Sequence, residues 1–559
     1  MKNTEFRNRE QRNIEDTSML ITRKMSIGII IFVLFTQLTF GQEEMFSLIR
    51  KINVDHLGTV GQIDGCEFSK DNYYIIASDN HGTAKIYIRS SGKYVNEVKH
   101  IVFNNPKFER AGKVNAVGYS YNRKYLYTGI NDRGLKVWDA NTYKLLHHFG
   151  DGFNTDSADF SSDDKWLAMG AGSEVWLYSV PDFTRFHKFS HERGEVNNLD
   201  FNHDNSLLAS CASKGEVFIT RTSDWKRIRR HKIKSSAKRI YFSPDGQFYA
   251  LGGRDQLCRV YRTSDGVMVA DLKHRGNLKM LPGDDYGDDN PAVETLNWSA
   301  EGKYLFTGGV IDGIMRVWRR DDWSLVGYVQ AQATNRQIEY IDVSSDNEVI
   351  VGGDEGVLYH YTFAPPKLLT PFVQESDGAV CLEAENYDTS LPQGGHRWTV
   401  ISESGAAGGE CLQALPNDGV KKDAKFAEYD PIKDAPKLDY RINFTRTGNY
   451  HVWIRAKGNK SDNSVHVGIN GKGIPSSDMI EFPPSTSNYV WSKATKDKQD
   501  AFISISSIGF HTINVWMDED GTKLDRILLT SDAGYDPSNV NGGKGPKGSI
   551  RKTPDATVE

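Results

Sequence analysis

Phe242-Ser243-Pro244-Asp245-Gly246 is one copy of a pattern that returns seven times in the first 365 residues. An apolar residue followed by Ser or Asn stands at Phe68-Ser69, Tyr119-Ser120, Phe160-Ser161, Phe201-Asn202, Phe242-Ser243, Trp298-Ser299 and Val343-Ser344. The positions 119, 160, 201 and 242 are 41 residues apart, and the other gaps are 51, 56 and 45. After each copy comes a turn, then a strand of small and apolar residues such as Leu126-Tyr127-Thr128-Gly129 or Leu305-Phe306-Thr307-Gly308-Gly309. A second turn carries an acid and a glycine, as in Asp312-Gly313 or Asp354-Glu355-Gly356, and an alternating strand closes the unit, as in Leu135-Lys136-Val137-Trp138-Asp139. Alternation buries one strand face, while Asp and Gly supply turns that admit positive φ. A unit this small cannot bury its apolar face alone, so the copies must stack on one another.

This pattern resembles the WD-repeat family, whose units are four-stranded propeller blades. The resemblance implies a seven-bladed β-propeller over residues 46–365, with the strand around Phe46–Val54 completing the last blade and removing the open edges. Only Trp138-Asp139 keeps the signature dipeptide, and His191 is the nearest counterpart of the family's blade-start histidine. The implied role is a face for a protein partner. No phosphate-cradling glycine loop, nucleophile elbow or His-Glu-x-x-His is present, so no catalytic residue is assigned. Two stretches break the repeat. The acidic insertion Leu281–Pro291 reads either as a calcium loop or as a solvated connection. The basic run Lys226–Lys234 reads either as a dock for an anionic partner or as a charged outer strand that discourages edge pairing.

The chain has 559 residues, a formal net charge of −5 and 25% charged residues, which argues against a nucleic-acid or anionic-membrane partner. Arg23-Lys24 precedes the short apolar run Ile27–Phe35, with small residues at Thr39 and Gly41. Residues 1–41 thus read as an N-terminal extension and signal peptide cut after Gly41, with an uncleaved anchor as the alternative and Met25 as a candidate start. The expected location is secreted or periplasmic, with no stable membrane span after cleavage. The five cysteines form no CxxC pair. Cys381 and Cys411 both lie in strand-like stretches of the C-terminal region, and in an oxidising compartment they are expected to pair as a disulfide.

Pro365-Pro366 and Pro371 mark a linker over 366–377, and the texture then changes. Alternating strands split by glycine-rich turns argue for an antiparallel sandwich over 378–535, followed by a hydrophilic tail, 536–559, expected to be disordered. The chain is therefore expected to be all-β: a propeller plus a jelly-roll sandwich. The order of Glu383-Ala384-Glu385, Gly448-Asn449-Tyr450-His451-Val452-Trp453 and Leu524-Asp525-Arg526-Ile527 resembles the carbohydrate-binding modules of families 6 and 35, the galactose-binding-like domains. That resemblance implies a structural calcium ion held by Glu383, Glu385 and Asp525, the first two on one strand face by the period-two rule. It also implies sugar stacking on loop aromatics beside an amide. The candidates are Trp398, Tyr489 and Trp491 with Asn463, while Trp453 and Trp516 read as core. The expected function is an exported, non-catalytic scaffold that binds a polysaccharide or other glycan; the alternative is a polysaccharide-active enzyme whose catalytic domain is the propeller.

Overall fold

The computed structural model describes residues 45–552 apart from 55–60, 80, 101–112, 132, 275–291, 310–311, 334–335, 366–368, 420–434 and 460–462. The signal-peptide reading and the acidic insertion lie outside the described residues. Seven four-stranded antiparallel sheets make up the first domain. The strand Phe46–Asn53 pairs with Val357–Phe363, so the N-terminal strand closes the last blade.

The repeated Ser or Asn has a local cause. Its side-chain oxygen accepts the backbone N–H at the start of the next strand: Tyr74 to Ser69 at 2.8 Å, Tyr125 to Ser120 at 3.0 Å, Trp166 to Ser161 at 2.9 Å and Leu207 to Asn202 at 2.8 Å. Phe248, Tyr304 and Glu348 bond Ser243, Ser299 and Ser344 in the same way. Three residues beyond that Ser or Asn, every copy places a residue at positive φ: Asn72, Arg123, Asp164, Asn205, Gly246, Gly302 and Asn347. The motif is a hairpin-closing device, and hydroxyl or amide oxygens fit it because they accept a hydrogen bond within the turn. Blades further hold His-Thr-Trp networks. Thr128 joins His100 at 2.8 Å and Trp138 at 3.0 Å, Thr307 joins His274 at 2.6 Å and Trp318 at 2.8 Å, and His191 meets Ser210 at 2.9 Å. The basic run forms Lys226–Lys232, the outermost, largely exposed strand of its blade.

Ring closure rests on Phe46, buried against Phe306, Tyr361 and Phe363 with centroids 5.3–6.3 Å away. Phe46→Ala is expected to destabilise the propeller by about 3–5 kcal/mol, read as an earlier urea midpoint. A midpoint equal to that of the unaltered chain would mean that the closing strand contributes little.

The second domain is a sandwich of two seven-stranded sheets. One contains Lys437–Phe444, Gly509–Met517 and Ser464–Ile469; the other contains Arg397–Ser402, Glu410–Leu415, Lys523–Thr530, Gly448–Gly458 and Ser485–Ser492. Their facing sides bury one apolar cluster that includes Trp398, Tyr440, Ile454, Val467, Trp516 and Ile527. Its boundaries are wider than expected. Phe372–Val373, assigned to the linker, pairs in parallel with Lys437–Phe444. The tail is ordered through residue 552: Ser549 N–H bonds Cys381 O at 2.7 Å, and Lys552 N–H bonds Pro371 O at 3.1 Å. Low hydrophobicity argued for disorder, but backbone groups and arginine contacts, which composition does not register, tie the tail down.

The domains are docked. Leu391 of the sandwich joins a propeller cluster with Trp298, Trp318 and Leu325. Lys437 Nζ donates to Leu325 O at 2.7 Å, and Tyr328 OH donates to Pro392 O at 3.1 Å. At the centre of this contact, Arg319 and Asp322 form a buried pair that Thr512 of the sandwich completes.

Candidate functional site

In six of the seven copies, the residue just before the repeated apolar residue lines the middle of the propeller; the seventh is Gly118, which has no side chain. Glu67, Asp159, Asp200, Tyr241, Asn297 and Asp342 all line a central cavity of about 590 Å³, together with Lys70, Tyr121, Asn198, Arg239 and Tyr340. Each ring carboxylate also bonds across to a neighbouring blade. Phe201 N–H donates to Asp159 at 2.9 Å, Phe242 N–H to Asp200 at 2.7 Å, Phe68 N–H to Asp342 at 2.7 Å and Tyr119 N–H to Glu67 at 3.3 Å. The ring therefore stitches blades together and presents acid to the cavity at once. Burial pushes the Asp159 carboxyl up to about 7; burial, with the Glu67 charge nearby, brings Asp342 to about 7 as well. Burial and then the Asp159 charge drive Asp200 upward too. Arg239 lies over the Tyr340 ring at 5.0 Å, and the Tyr241 and Tyr340 hydroxyls meet at 3.0 Å. Sequence reasoning missed this ring, although its signal was available: an acid stands before the repeated apolar residue in four of the seven copies.

The sandwich candidates do not form one site. Trp398 is 4% exposed, part of the core, and its Nε1 donates to Pro436 O at 3.2 Å. It follows a tight turn, but strand pairing turns its ring inward. Asn463 is a structural amide whose Nδ2 donates to Phe482 O at 2.9 Å. Trp516 is core as expected, whereas Trp453 is half-exposed with Lys493 Nζ 5.1 Å from its ring. Tyr489 and Trp491 lie on the adjacent strand, and Trp491 pairs with Arg455. By the period-two rule, Trp453, Arg455, Tyr489 and Trp491 share one sheet face.

The proposed metal carboxylates border that same face, but arginines engage them. The Arg526 guanidinium clamps Glu383, with Nε to Oε2 at 2.8 Å, and Arg455 pairs with Asp525, which also accepts Ala407 N–H at 2.8 Å. The strand ends at Glu383 and Ala384–Asn386 is a short 3-10 turn, so the period-two placement of Glu385 does not hold. Glu385 is half-buried with one carboxylate oxygen lacking a partner, and burial raises its carboxyl to about 7. Calcium takes about six to eight oxygens, and two of these three carboxylates, Glu383 and Asp525, are already paired with guanidiniums, so the set falls short of such a site.

The tail crosses this face. Gly543 O accepts from Trp491 Nε1 at 3.1 Å and from Arg455 Nε at 3.0 Å, while Arg526 donates to Lys544 O at 3.0 Å and Pro546 O at 2.6 Å. Gly545 is required here, because a Cβ on it would stand 2.5 Å from the Trp491 ring. The expected disulfide is not formed: Cys381 and Cys411 are both free thiols. Cys381 pairs with Leu528 across the ladder and donates to Pro546 O at 3.7 Å, whereas Cys411 stands opposite Ile401 on another strand pair. The two thus sit in different strand pairs, and burial pushes the Cys381 thiol up to about 12.

Comparison with known proteins agrees with this division. Residues 372–542 match the family model described as the glycosyl hydrolase family 115 C-terminal domain. Residues 105–139 match the WD domain, G-beta repeat, and residues 199–299 the anaphase-promoting complex subunit 4 WD40 domain. Uncharacterized protein P23 of Formosa agariphila is 23% identical over 200 residues, covering 31% of this chain and 48% of that protein. Protein hir1 of Schizosaccharomyces pombe is 22% identical over 286 residues, covering 48% of this chain and 27% of that protein. The small ribosomal subunit protein RACK1 of Medicago sativa is 28% identical over 131 residues, covering 22% of this chain and 39% of that protein. The chain thus spans about half, or less, of the length of these relatives. Its first domain is a WD40 β-propeller, and its second contains a domain of the family 115 C-terminal type.

Proposed function

We propose that this protein is an exported, non-catalytic carbohydrate-binding scaffold, in which the sandwich holds a glycan and the propeller offers its central cavity to a protein partner. The observation that carries this reading is the single sheet face bearing the half-exposed rings of Trp453, Tyr489 and Trp491 beside Arg455. Rings stack on the apolar C–H faces of sugars. The match of this domain to the C-terminal part of a glycosyl hydrolase family supports the same reading. The docked interface would give the two domains a fixed geometry, as a scaffold requires.

Titration of the full chain with neutral and acidic polysaccharides tests it. Micromolar-to-millimolar binding is expected, weakened about fivefold in Trp453→Ala, since a lost aromatic contact is worth about 1 kcal/mol. A folded chain that binds no glycan in the panel overturns the reading. A second reading, a polysaccharide-active enzyme, is favoured by one observation: burial raises the Asp159 and Asp200 carboxyls where they line the central cavity, the direction a general acid needs. Release of sugar fragments in the same incubations, lost in Asp200→Asn, would select that reading instead.

A further inference from the structure

At one end of the sandwich, away from the face just described, the turn Gln393-Gly394-Gly395-His396 is closed by paired backbone bonds of 3.0 and 2.9 Å between Gln393 and His396. Glycines at positive φ, Gly394 at 57° and Gly395 at 81°, form the turn. Residues directly opposite in an antiparallel pair place their side chains on the same side. His396 is 5% exposed, and its ring Nδ1 lies 3.0 Å from Gly394 O. A carbonyl only accepts, so Nδ1 is the donor in this bond and Nε2 is the ring nitrogen turned away from it. Nε2 faces Asp418 Oδ1 at 3.2 Å and Asp520 Oδ2 at 3.7 Å.

The ring nitrogen and the two carboxylates converge on one small space. The carboxylates are held in place, because Asp520 Oδ2 accepts the backbone N–H groups of Asp418 at 2.5 Å and Gly419 at 2.8 Å. A second observation points the same way. Gln393, opposite His396 on the same side, is 3% exposed, yet neither polar atom of its amide has a hydrogen-bond partner. A buried amide without partners costs about 1–3 kcal/mol and calls for a polar group. A proton on Nε2 would satisfy the histidine and aspartates but leave Gln393 unanswered. A hydrated metal ion answers both.

We propose that His396, Asp418 and Asp520 bind one divalent transition-metal ion of the zinc type, with Gln393 meeting a water on the metal. The three ligand atoms lie within 4.8 Å of one another. Ligands about 2.0–2.1 Å from tetrahedral zinc stand about 3.3–3.4 Å apart, close to the observed His–Asp separations. Three protein ligands and a water make the usual open zinc site, and an imidazole donor favours zinc-type ions over calcium. The histidine-to-carbonyl bond is the orienting contact such ligands commonly make. This site is separate from the aromatic face and does not depend on glycan binding.

Isothermal titration of the chelator-stripped full chain with zinc chloride tests the proposal. One zinc ion per chain is expected, with calcium chloride giving no comparable heat. Asp418→Asn alters a largely exposed side chain and is expected to keep the fold while weakening zinc at least about tenfold; His396→Gln is expected to do the same. Circular dichroism identifies the folded variants. Absence of zinc binding up to millimolar concentration overturns the site, as does binding unchanged in any folded variant.

Discussion

Replacing Asp322 by alanine is expected to lower the stability of the chain by about 3–5 kcal/mol, the cost of leaving a buried guanidinium without its counterion. Arg319 Nε and Nη2 reach the two Asp322 oxygens at 3.0 and 2.5 Å. Ser324 donates to Asp322 at 2.7 Å, Thr512 donates to it from the sandwich, and Arg319 also reaches Thr512 Oγ1 at 2.9 Å. The pair thus sits in the domain junction, and its loss should separate the two thermal transitions as well as lower them. Burial alone would raise the Asp322 carboxyl, but the Arg319 charge and hydrogen bonds outweigh it and bring it down to about 2. A carboxyl lowered on folding stabilises fully above its unfolded value near 3.8 and loses that contribution as pH falls through about 2. Calorimetry of Asp322→Ala should therefore show its largest deficit above pH 4 and a smaller one towards pH 2. A single transition with a near-native Tm would show that the junction does not rest on this pair.

The second large effect is expected at His466, which is fully buried in the sandwich. Its Nδ1 lies 2.6 Å from Asp478 and its Nε2 3.1 Å from Asp518, and Ser464 donates to Asp518 at 2.5 Å. Burial opposes charge on the ring, but the hydrogen bonds and charges of Asp478 and Asp518 prevail and raise it to about 9. A histidine raised on folding contributes fully below its unfolded value near 6.5 and loses that contribution as pH rises through about 9. The shift corresponds to about 3 kcal/mol, so the sandwich should weaken markedly between pH 6.5 and 9. His466→Ala strands the buried Asp518 carboxylate and is expected to cost about 3–5 kcal/mol at pH 6 while flattening the loss above pH 6.5. Urea denaturation at pH 6 and pH 9 checks both; equal deficits at the two pH values would mean that the ring is not charged.

Much of the propeller was legible because its information is local and repeated. Each Ser or Asn closes a hairpin within five or so residues, so spacing alone reveals seven blades and a closing strand. The cavity ring was equally periodic, yet its chemistry arises only when the ring closes and carboxylates from separate blades share one space of low dielectric. In the sandwich, local signals misled. Trp398 follows a glycine turn, as a binding-loop aromatic would, but its neighbours point it into the core. Trp453 alternates like a core residue, yet it faces outward.

The sequence by itself determined the all-β class and the number of blades. These follow from periodicity and turn chemistry, whose range is a few residues. Only the tertiary structure decided which side chains meet. Arg455 and Arg526 reach Asp525 and Glu383, the tail lies over Trp491, His396 joins Asp418 and Asp520, and Arg319 locks the domains together. Those contacts join residues up to about two hundred positions apart, and whether a charge there is paired, buried or open to a ligand depends on packing that no local pattern encodes.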